Sequence, residues 1–339
     1  MGDEPSAAGS QLAATERHRP GQQVAGLFRR SPHNPVLSPA DWPYPVNTVF
    51  NPAAAQVDGQ TVLVCRVEDR RGISHLTVAR SLDGATGWEI SPTPLISAGD
   101  LGEASRWGVE DPRVVWLEDQ AAWVLTFTAY GPAGPAVAMA RTTDFVEVEL
   151  LGVVMPPPDK NASLLPYRID GQYVMFHRPT IQDMQRSDVW LSRSPDLRSW
   201  SEPTLVLPAR PGPWWDNVRI GMGPPPVLTT HGWLAVYHGI KSVAGGLVYR
   251  AGLALLDAER PERVLRRTDE WVFSPVEPYE RTGDAPNVVF PTGLVHDVEQ
   301  DRLRLYYGAA DTCVGLASAS YSEVVDFLLT CPAPEPSGA

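Results

Sequence analysis

The segment GVEDPRVV (Gly108–Val115) places two carboxylates, Glu110 and Asp111, and a proline directly before an apolar run. Asp-Pro is common in exposed turns, so a single segment of this kind would most simply be a surface turn. Polar residues recur, however, at comparable places along the chain. A carboxylic acid at the mouth of a buried strand can donate a proton if burial raises its pKa. We therefore treat Asp111 as a candidate catalytic acid.

A pattern of two short strands joined by a turn, often Asp-Gly, occurs five times along the chain. The copies begin near Asn51, Glu110, Asn161, Gly223 and Phe290. Further strand-and-turn segments between them would complete units of about four strands. We therefore predict an all-β fold, a five-bladed β-propeller over residues 31–332. A flexible arm over residues 1–30 and a tail over residues 333–339 would flank it.

Composition narrows the class of protein. The formal net charge of −12 argues against nucleic acid as a partner. No segment approaches the roughly 20 apolar residues of a membrane span, and the first 25 residues carry no apolar core of a secretory signal. Cys65, Cys313 and Cys331 fit neither a disulfide framework nor a zinc pattern. We expect a cytoplasmic protein that binds no membrane and no metal.

In a propeller, equivalent strand ends converge on one central pocket, and the five repeats would bring a distinctive set of side chains there. The set comprises the carboxylates Asp111, Asp284 and Asp311, the cations Arg66, Lys160 and Arg178, and the side chains of His238, Tyr249, Trp107, Trp214 and Trp215. Carboxylates and indole faces suit a carbohydrate, and we predict that Asp284 contacts the sugar. The cations suit an oxyanion such as phosphate. The chain has no Walker-type lysine motif and no Gly-x-Ser-x-Gly nucleophile motif.

Several motifs, in order along the chain, together resemble one enzyme family. They are VFNPAA, CRVEDRRGISHLTVARS, GVEDPRV, VMFHRP, GPPPV, YHGIK, YRAGLALLD, PNVVFPTG and YYGAADT. This set resembles glycoside hydrolase family 130, and the resemblance covers about residues 31–329. It implies a β-mannoside phosphorylase, or a β-mannosidase, on a five-bladed propeller.

The resemblance also implies residue roles and a reaction. Asp111 would be the single catalytic acid, and Asn51 and Asp311 would hold the mannosyl ring. The phosphate-binding residues would be Arg66, His238, Tyr249, Lys160 and Arg178. Inorganic phosphate, a substrate rather than a cofactor, would attack the anomeric carbon with inversion and give α-mannose 1-phosphate. The acid would protonate the leaving oxygen through the 3-hydroxyl of the sugar. No cofactor is expected, and the resemblance implies a homo-oligomer.

Two alternatives to phosphorolysis remain open at this stage. An inverting β-mannosidase needs a second carboxylate about 6.5–9.5 Å from the acid to deprotonate water, whereas phosphate arrives already anionic. A non-catalytic sugar-binding propeller would need neither an acid nor a phosphate pocket. Arg66 could also simply pair with Glu68 or Asp69. Among phosphorolysis substrates, the motifs favour β-1,4-mannooligosaccharides or mannosyl-N-acetylglucosamine.

Overall fold

A computed structural model describes residues 26–180 and 187–334. Within these ranges the chain forms 21 β-strands and two short α-helices, so the all-β prediction is confirmed. Three 3-10 helices lie at Pro39–Asp41, Gly102–Ser105 and Glu118–Gln120. None of the helices in the described ranges has the length and hydropathy needed to span a bilayer.

The strands form five successive units. Four of them start close to the predicted copies, but the first strand of unit four, Arg219–Met222, lies before the predicted start at Gly223. A two-residue strand, β1 (Arg29–Arg30), precedes them. Unit one contains β2 (Thr48–Val57), β3 (Gln60–Glu68), β4 (Ser74–Ser81) and β5 (Glu89–Ile90). Unit two contains β6 (Gly108–Leu117), β7 (Ala122–Gly131), β8 (Gly134–Thr142) and β9 (Glu149–Met155). One parallel pairing, Ser74 with Gly108, joins these two units into a single sheet.

The remaining three units form separate sheets of antiparallel strands. Unit three contains β10 (Asp159–Leu164), β11 (Tyr173–Pro179), β12 (Val189–Ser194) and β13 (Thr204–Leu207). Unit four contains β14 (Arg219–Met222), β15 (Val227–Thr229), β16 (Gly232–Val243), β17 (Gly246–Leu256) and β18 (Val264–Arg267). Helix α1 (Pro278–Arg281) leads into unit five, which contains β19 (Val289–Asp297), β20 (Arg302–Ala309) and β21 (Cys313–Ser320), and helix α2 (Tyr321–Thr330) follows.

A bulge interrupts the first strand of units one, two, three and five at the same place. The register shifts lie between Phe50 and Ala53, Glu110 and Arg113, Lys160 and Ser163, and Pro291 and Gly293. In the first three, an Asn or Asp occupies the bulge in the left-handed region, with φ of 44° at Asn51, 50° at Asp111 and 57° at Asn161. Asn and Asp tolerate this conformation better than other residues with side chains. Because a bulge re-aims a side chain, it explains how a polar group at the mouth of an apolar strand can point inward.

Five apolar clusters fill the spaces between neighbouring units. They join unit one to two, two to three, three to four, and four to five, and the fifth joins unit five back to unit one. In this last cluster Leu63 and Cys65 of unit one pack with Tyr306 and Val314 of unit five. The units therefore pack face to face in sequence order, with the first against the last.

The N-terminal boundary differs in detail from the prediction of an arm over residues 1–30. Residues 1–25 lie outside the described residues, but Phe28 is buried and β1 pairs with β21 of the last unit. Arg30 donates to Glu280 through Nε at 2.7 Å and through Nη2 at 2.8 Å. Of the predicted tail, residues 335–339 also lie outside the described residues. Strand β1 thus connects the start of the described chain to its last unit.

We predict that Glu280→Gln destabilises the fold by about 3 kcal/mol, because Glu280 is fully buried and loss of one partner leaves a charge unpaired. Besides Arg30, the Glu280 carboxylate accepts hydrogen bonds from Tyr307 at 2.8 Å and from the backbone of Val276 at 2.7 Å. Urea unfolding measures the change. Glu299→Gln, the same change at an exposed position, is the control. Equal stability of the two variants would contradict this role for Glu280.

Candidate active site

Side chains from all five units meet where the first strand of each unit begins and the second strand ends. Eight of the predicted site residues lie there, close enough to touch one another or to shift one another's pKa. They are Asn51, Arg66, Asp111, Lys160, Arg178, His238, Tyr249 and Asp311. The strand register explains this arrangement. Phe50 pairs with Arg66, Lys160 with Arg178 and Gly221 with His238, so that equivalent ladder positions supply these groups.

Asp111 lies at the centre of this cluster and is only 4% exposed. Its carboxylate accepts hydrogen bonds from Asn51 Nδ2 at 2.8 Å and from Arg66 Nη1 at 3.1 Å. Burial acts to raise the pKa of Asp111, but the charges of Arg66, Lys160 and Arg113 and the bond from Asn51 outweigh it and hold the pKa below its usual range. The expectation of a raised pKa is therefore wrong for the site without substrates, and Asp111 is ionised there at neutral pH.

Every nitrogen of the Arg66 guanidinium has a partner. Nε donates to Ser74 Oγ at 2.9 Å, and Nη1 donates to Asp111. Nη2 lies 3.3 Å from both Glu68 and Glu110. Pairing with Glu68 was one of the alternatives, and here it accompanies the contact with the candidate acid. An anion that approached Arg66 would have to share it with three carboxylates.

Glu110 connects two of the candidate cations. Its carboxylate lies 3.3 Å from Arg66 Nη2 and 3.6 Å from Lys160 Nζ, and its side chain is 13% exposed. Both oxygens therefore face positive charge. This arrangement fits a group that positions Arg66 and Lys160 better than one that activates water.

Arg178 and His238 form a buried pair with incomplete hydrogen bonding. Arg178 Nη1 and Asn161 Nδ2 each lie 3.5 Å from His238 Nε2, at the outer limit of a hydrogen bond. Within the described residues, Arg178 Nε and His238 Nδ1 have no hydrogen-bond partner. A Cβ at Gly221 would lie 2.5 Å from both His238 Cε1 and Asn161 Nδ2, so this position requires glycine. A bound ion or water is one explanation for a buried donor without a protein partner, so these two nitrogens are available to a ligand.

The charges of this pair differ. Burial and the neighbouring cations Arg178 and Arg113 lower the pKa of His238 well below its usual value, so the ring is neutral at pH 7. Burial lowers the pKa of Arg178 to about 10, which leaves its guanidinium charged. A neutral ring beside a charged guanidinium can donate one hydrogen bond to an anion without repelling the cation.

Tyr249 and Phe290 complete this wall of the site. The Tyr249 ring lies nearly parallel to His238, with centroids 6.4 Å apart, and Phe290 packs on His238 at 4.4 Å. Burial raises the pKa of Tyr249, so its hydroxyl keeps its proton. In the sequence, Phe290 indicates only the start of a repeat, since an apolar residue carries no chemical signal.

Asp311 lies two residues after the end of β20 and has a left-handed φ of 48°. Burial, with the negative charge of Asp111, raises the pKa of Asp311 to about 7. The structure thus holds two carboxyls near each other in opposite states, one ionised and one that binds a proton near neutral pH. Asp284 is exposed at the rim, where it accepts a hydrogen bond from Asn47 at 2.8 Å.

Two of the indoles that the sequence grouped at the pocket have other contacts. Trp215 is only 4% exposed and stacks on Tyr237, so it belongs to the core and not to the pocket. Trp214 is exposed, but the Arg210 guanidinium lies 4.0 Å above its ring. Trp107 is exposed at the mouth, next to Tyr130.

Arg113 was missed by the sequence reasoning, although it is part of the GVEDPRV motif. It is 1% exposed and donates to three backbone carbonyls, those of Asp111 at 2.8 Å and of Met222 and Gly223 at 3.0 Å. These bonds tie unit two to unit four directly beneath the acid. In the sequence Arg113 is simply an arginine two residues after an acid. That pattern does not distinguish a buried arginine that bonds to backbone carbonyls from an exposed surface charge.

The side chains at the site do not favour a bound metal ion. Among the described residues, no three or more His, Cys, Asp or Glu side chains are grouped so as to hold a metal ion. The positive charge at the site comes from arginine and lysine side chains instead.

Comparison with known proteins gives a consistent result. A model of glycoside hydrolase family 130, described as β-1,4-mannooligosaccharide phosphorylase, matches residues 23–330. The β-1,4-mannooligosaccharide phosphorylase of Ruminococcus albus is 35% identical over 304 residues, which cover 87% of this chain and 89% of that protein. The 1,2-β-oligomannan phosphorylase of Thermoanaerobacter sp. is 33% identical over 88% of this chain and 98% of that protein.

A solved structure shares both fold and sequence with this chain. The β-1,2-mannobiose phosphorylase of Listeria innocua, in complex with β-1,2-mannobiose, superposes with a TM-score of 0.81 at 28% identity and covers 89% of this chain and 99% of its own. With the family model matching nearly the whole described chain, these similarities show that the chain belongs to glycoside hydrolase family 130.

Proposed function

We propose that this enzyme cleaves a β-mannoside with inorganic phosphate and releases α-mannose 1-phosphate with inversion. The observation that carries the proposal is the position of a buried acid, Asp111, within the electrostatic range of Lys160 and Arg178. The three similar proteins described above are named mannoside phosphorylases, which agrees with it. The reaction needs one acid and an anion pocket, and these residues can supply both.

The phosphate pocket that we propose is centred on Arg178, with Lys160, His238 and Tyr249. Arg178 Nε and His238 Nδ1 are buried donors with no partner in the described residues, so a bound oxyanion would satisfy them. Lys160 is 26% exposed and can turn its ammonium group toward the same anion. Arg66 would join as the third cation, in exchange for part of its bonding to Glu68 and Glu110.

The mannosyl ring would be held by Asn51 and Asp311, with Asp284 at the rim. Asn51 Oδ1 is buried and has no partner in the described residues, so it is available to accept a sugar hydroxyl. Asp311, whose pKa is near 7, can donate as well as accept a hydrogen bond. Both residues lie near Asp111, so we propose that the anomeric carbon binds between the acid and the phosphate.

The proton step requires a change in the pKa of Asp111. The cations that now hold this pKa low would be partly neutralised by a bound phosphate, so the carboxyl would gain a proton more readily in the complex. The proton then passes to the leaving oxygen, and we propose that the 3-hydroxyl of the mannosyl ring relays it. The phosphate oxygen forms the new bond to the anomeric carbon as the glycosidic bond breaks.

Hydrolysis and simple sugar binding explain the site less well. An inverting hydrolase needs a free carboxylate as base, whereas both oxygens of Glu110 face cations. A protein that only binds sugar has no need of a buried cation such as Arg178, whose Nε has no partner in the described residues. Of the possible bonds we favour β-1,4, in mannooligosaccharides or mannosyl-N-acetylglucosamine, although the similar proteins include enzymes named for β-1,2 bonds.

We also propose that the five units form a five-bladed β-propeller over residues 31–332, with the site at one end of its axis. The support is the set of five apolar clusters, which join each unit to the next and the last to the first. A cytoplasmic location and a homo-oligomer remain predictions from the sequence.

The central test is release of α-mannose 1-phosphate from β-1,4-mannobiose, measured with and without phosphate. We expect product only with phosphate. Asp111→Asn should lower turnover by about 10²–10⁴-fold, because it removes the acid, and Asn keeps the left-handed backbone. Phosphorolysis of mannobiose releases one free mannose and one mannose 1-phosphate. Two free mannose molecules and no mannose 1-phosphate, at a rate independent of phosphate, would contradict phosphorolysis and support the hydrolase.

Arg178→Lys tests the phosphate pocket. Lysine keeps the charge but loses the guanidinium fork, so we expect the KM for phosphate to rise at least about 10-fold, since a hydrogen bond to a charged group contributes about 1.5–3 kcal/mol. Initial rates against phosphate concentration measure this. Arg193→Lys, on β12 of the same unit and paired with Glu262, should leave the KM unchanged. A normal phosphate KM in Arg178→Lys would remove Arg178 from the pocket.

Asp311→Asn tests whether the pKa of the Asp311 carboxyl is raised, because a raised pKa makes the stability of the fold depend on pH. The folded protein binds the Asp311 proton up to about pH 7, whereas the unfolded chain loses it near pH 4. Wild-type stability therefore falls by up to about 4 kcal/mol between pH 4 and 7 from this group. The Tm of Asp311→Asn relative to wild type should rise over this window and level off above pH 7. Asp284→Asn, at the exposed rim, is the control, and a pH-independent difference would refute the shift.

A further inference from the structure

An aromatic pair, Trp107 and Tyr130, stands at the mouth of the site and has no role in the reaction described above. We infer that it binds the leaving oligosaccharide, as a platform for the second sugar beyond the cleaved bond. The inference rests on the proposed function, because it assigns a binding site to that substrate.

Strand register places the pair next to the site. Glu110 pairs with Thr128, and Gly108 pairs with Tyr130. Residues two apart on a strand share a face, so Tyr130 lies on the same face of the ladder as Thr128 and Glu110, roughly 7 Å further toward the end of the strand. The Trp107 backbone donates to Tyr130 O at 2.9 Å. The pair therefore lies just outward of Glu110, which contacts Arg66.

A chain of tight contacts fixes this position relative to the acid. Gly108, with φ of 135°, packs so closely that a Cβ would lie 2.9 Å from the backbone nitrogen of Ser74. Ser74 Oγ accepts from Arg66 Nε at 2.9 Å, and Arg66 Nη1 donates to Asp111 at 3.1 Å. Since Trp107 precedes Gly108 directly, its backbone is held on the same framework as the acid. A ligand on the indole would thus keep a defined distance from the reacting bond.

The exposed surface of the pair suits a sugar. Trp107 is 43% exposed and Tyr130 is 36% exposed, with ring centroids 5.3 Å apart in an edge contact. The exposed indoles of Trp214 and Trp271 each carry a guanidinium, at 4.0 and 4.2 Å from the ring centre. Within the described residues, no guanidinium lies over Trp107. An uncovered indole at the mouth offers an apolar face on which a pyranose ring can pack.

Position assigns the pair to the leaving group. The residues proposed for the mannosyl ring, Asn51 and Asp311, lie beside Asp111 inside the cluster, whereas the aromatic pair lies outward of Glu110. The first leaving sugar would occupy the space beside Glu110, and the next would reach Trp107. A disaccharide ends before the platform, but a trisaccharide extends onto it.

The test compares chain lengths in Trp107→Ala. We expect kcat/KM for β-1,4-mannotriose to fall roughly 3- to 10-fold relative to wild type, the range typical of an aromatic contact. The value for β-1,4-mannobiose and the KM for phosphate should stay within about twofold. Trp116→Ala is the matched control, because Trp116 is also exposed, makes a similar edge contact with Trp123, and lies near the other end of β6.

Binding of mannotriose without phosphate, measured by calorimetry, separates this inference from the proposed function. If Trp107→Ala binds mannotriose more weakly and the wild type shows no phosphorolysis, the proposed function is wrong but the sugar-binding role of Trp107 and Tyr130 is supported. An active wild type with an unchanged ratio of mannotriose to mannobiose kcat/KM in Trp107→Ala would overturn the platform alone. Absence of mannotriose binding by the wild type would also overturn it.

Discussion

The left-handed backbone at Asp111 is the constraint on which the rest of the site depends. An ordinary strand would alternate Glu110 and Asp111 between two faces of the sheet, but the bulge turns the second carboxylate inward. Arg113 keeps this turn in place, because it donates to the carbonyl of Asp111 and to two carbonyls of unit four. The same bulge at Asn51 and Asn161 aims their amides at the shared space. One local distortion, repeated around the fold, therefore builds a polar site on apolar strands.

Concentrating charge in this space has an electrostatic cost that the residues offset in pairs. Asp111 stays ionised because cations surround it, and its charge in turn helps Asp311 to retain a proton. Arg178 remains charged, while His238 is neutral, which avoids placing two adjacent cations in a buried wall. The result is a site with both acceptors and donors available to a sugar, and with buried donors left for an anion.

The repeat pattern predicted much of this arrangement, because strand alternation and turn residues depend mainly on nearby sequence. It identified the five units and grouped Asp111, Arg178 and His238 in one place. It could not predict the sign of the pKa shift at Asp111, which depends on charges from several units, nor the role of Arg113. The residue type alone suggested the pocket for Trp215, but this side chain packs on Tyr237 in the core. Contacts between residues that are distant in the sequence determine the pKa of Asp111, the role of Arg113 and the position of Trp215.

The low pKa of Asp111 has a consequence for how the site would handle water. A site whose acid were protonated in the absence of phosphate could assist cleavage by any nucleophile that entered, water included. Here two of the cations that would bind phosphate, Lys160 and Arg66, are among the charges that keep the acid ionised. On the proposed mechanism, only an anion that neutralises Lys160 and its neighbours lets Asp111 take up the proton that the leaving group needs. Lys160 and Arg66 would then help both to bind the nucleophile and to control the acid, so that proton donation depends on phosphate and hydrolysis is disfavoured without a separate device to exclude water.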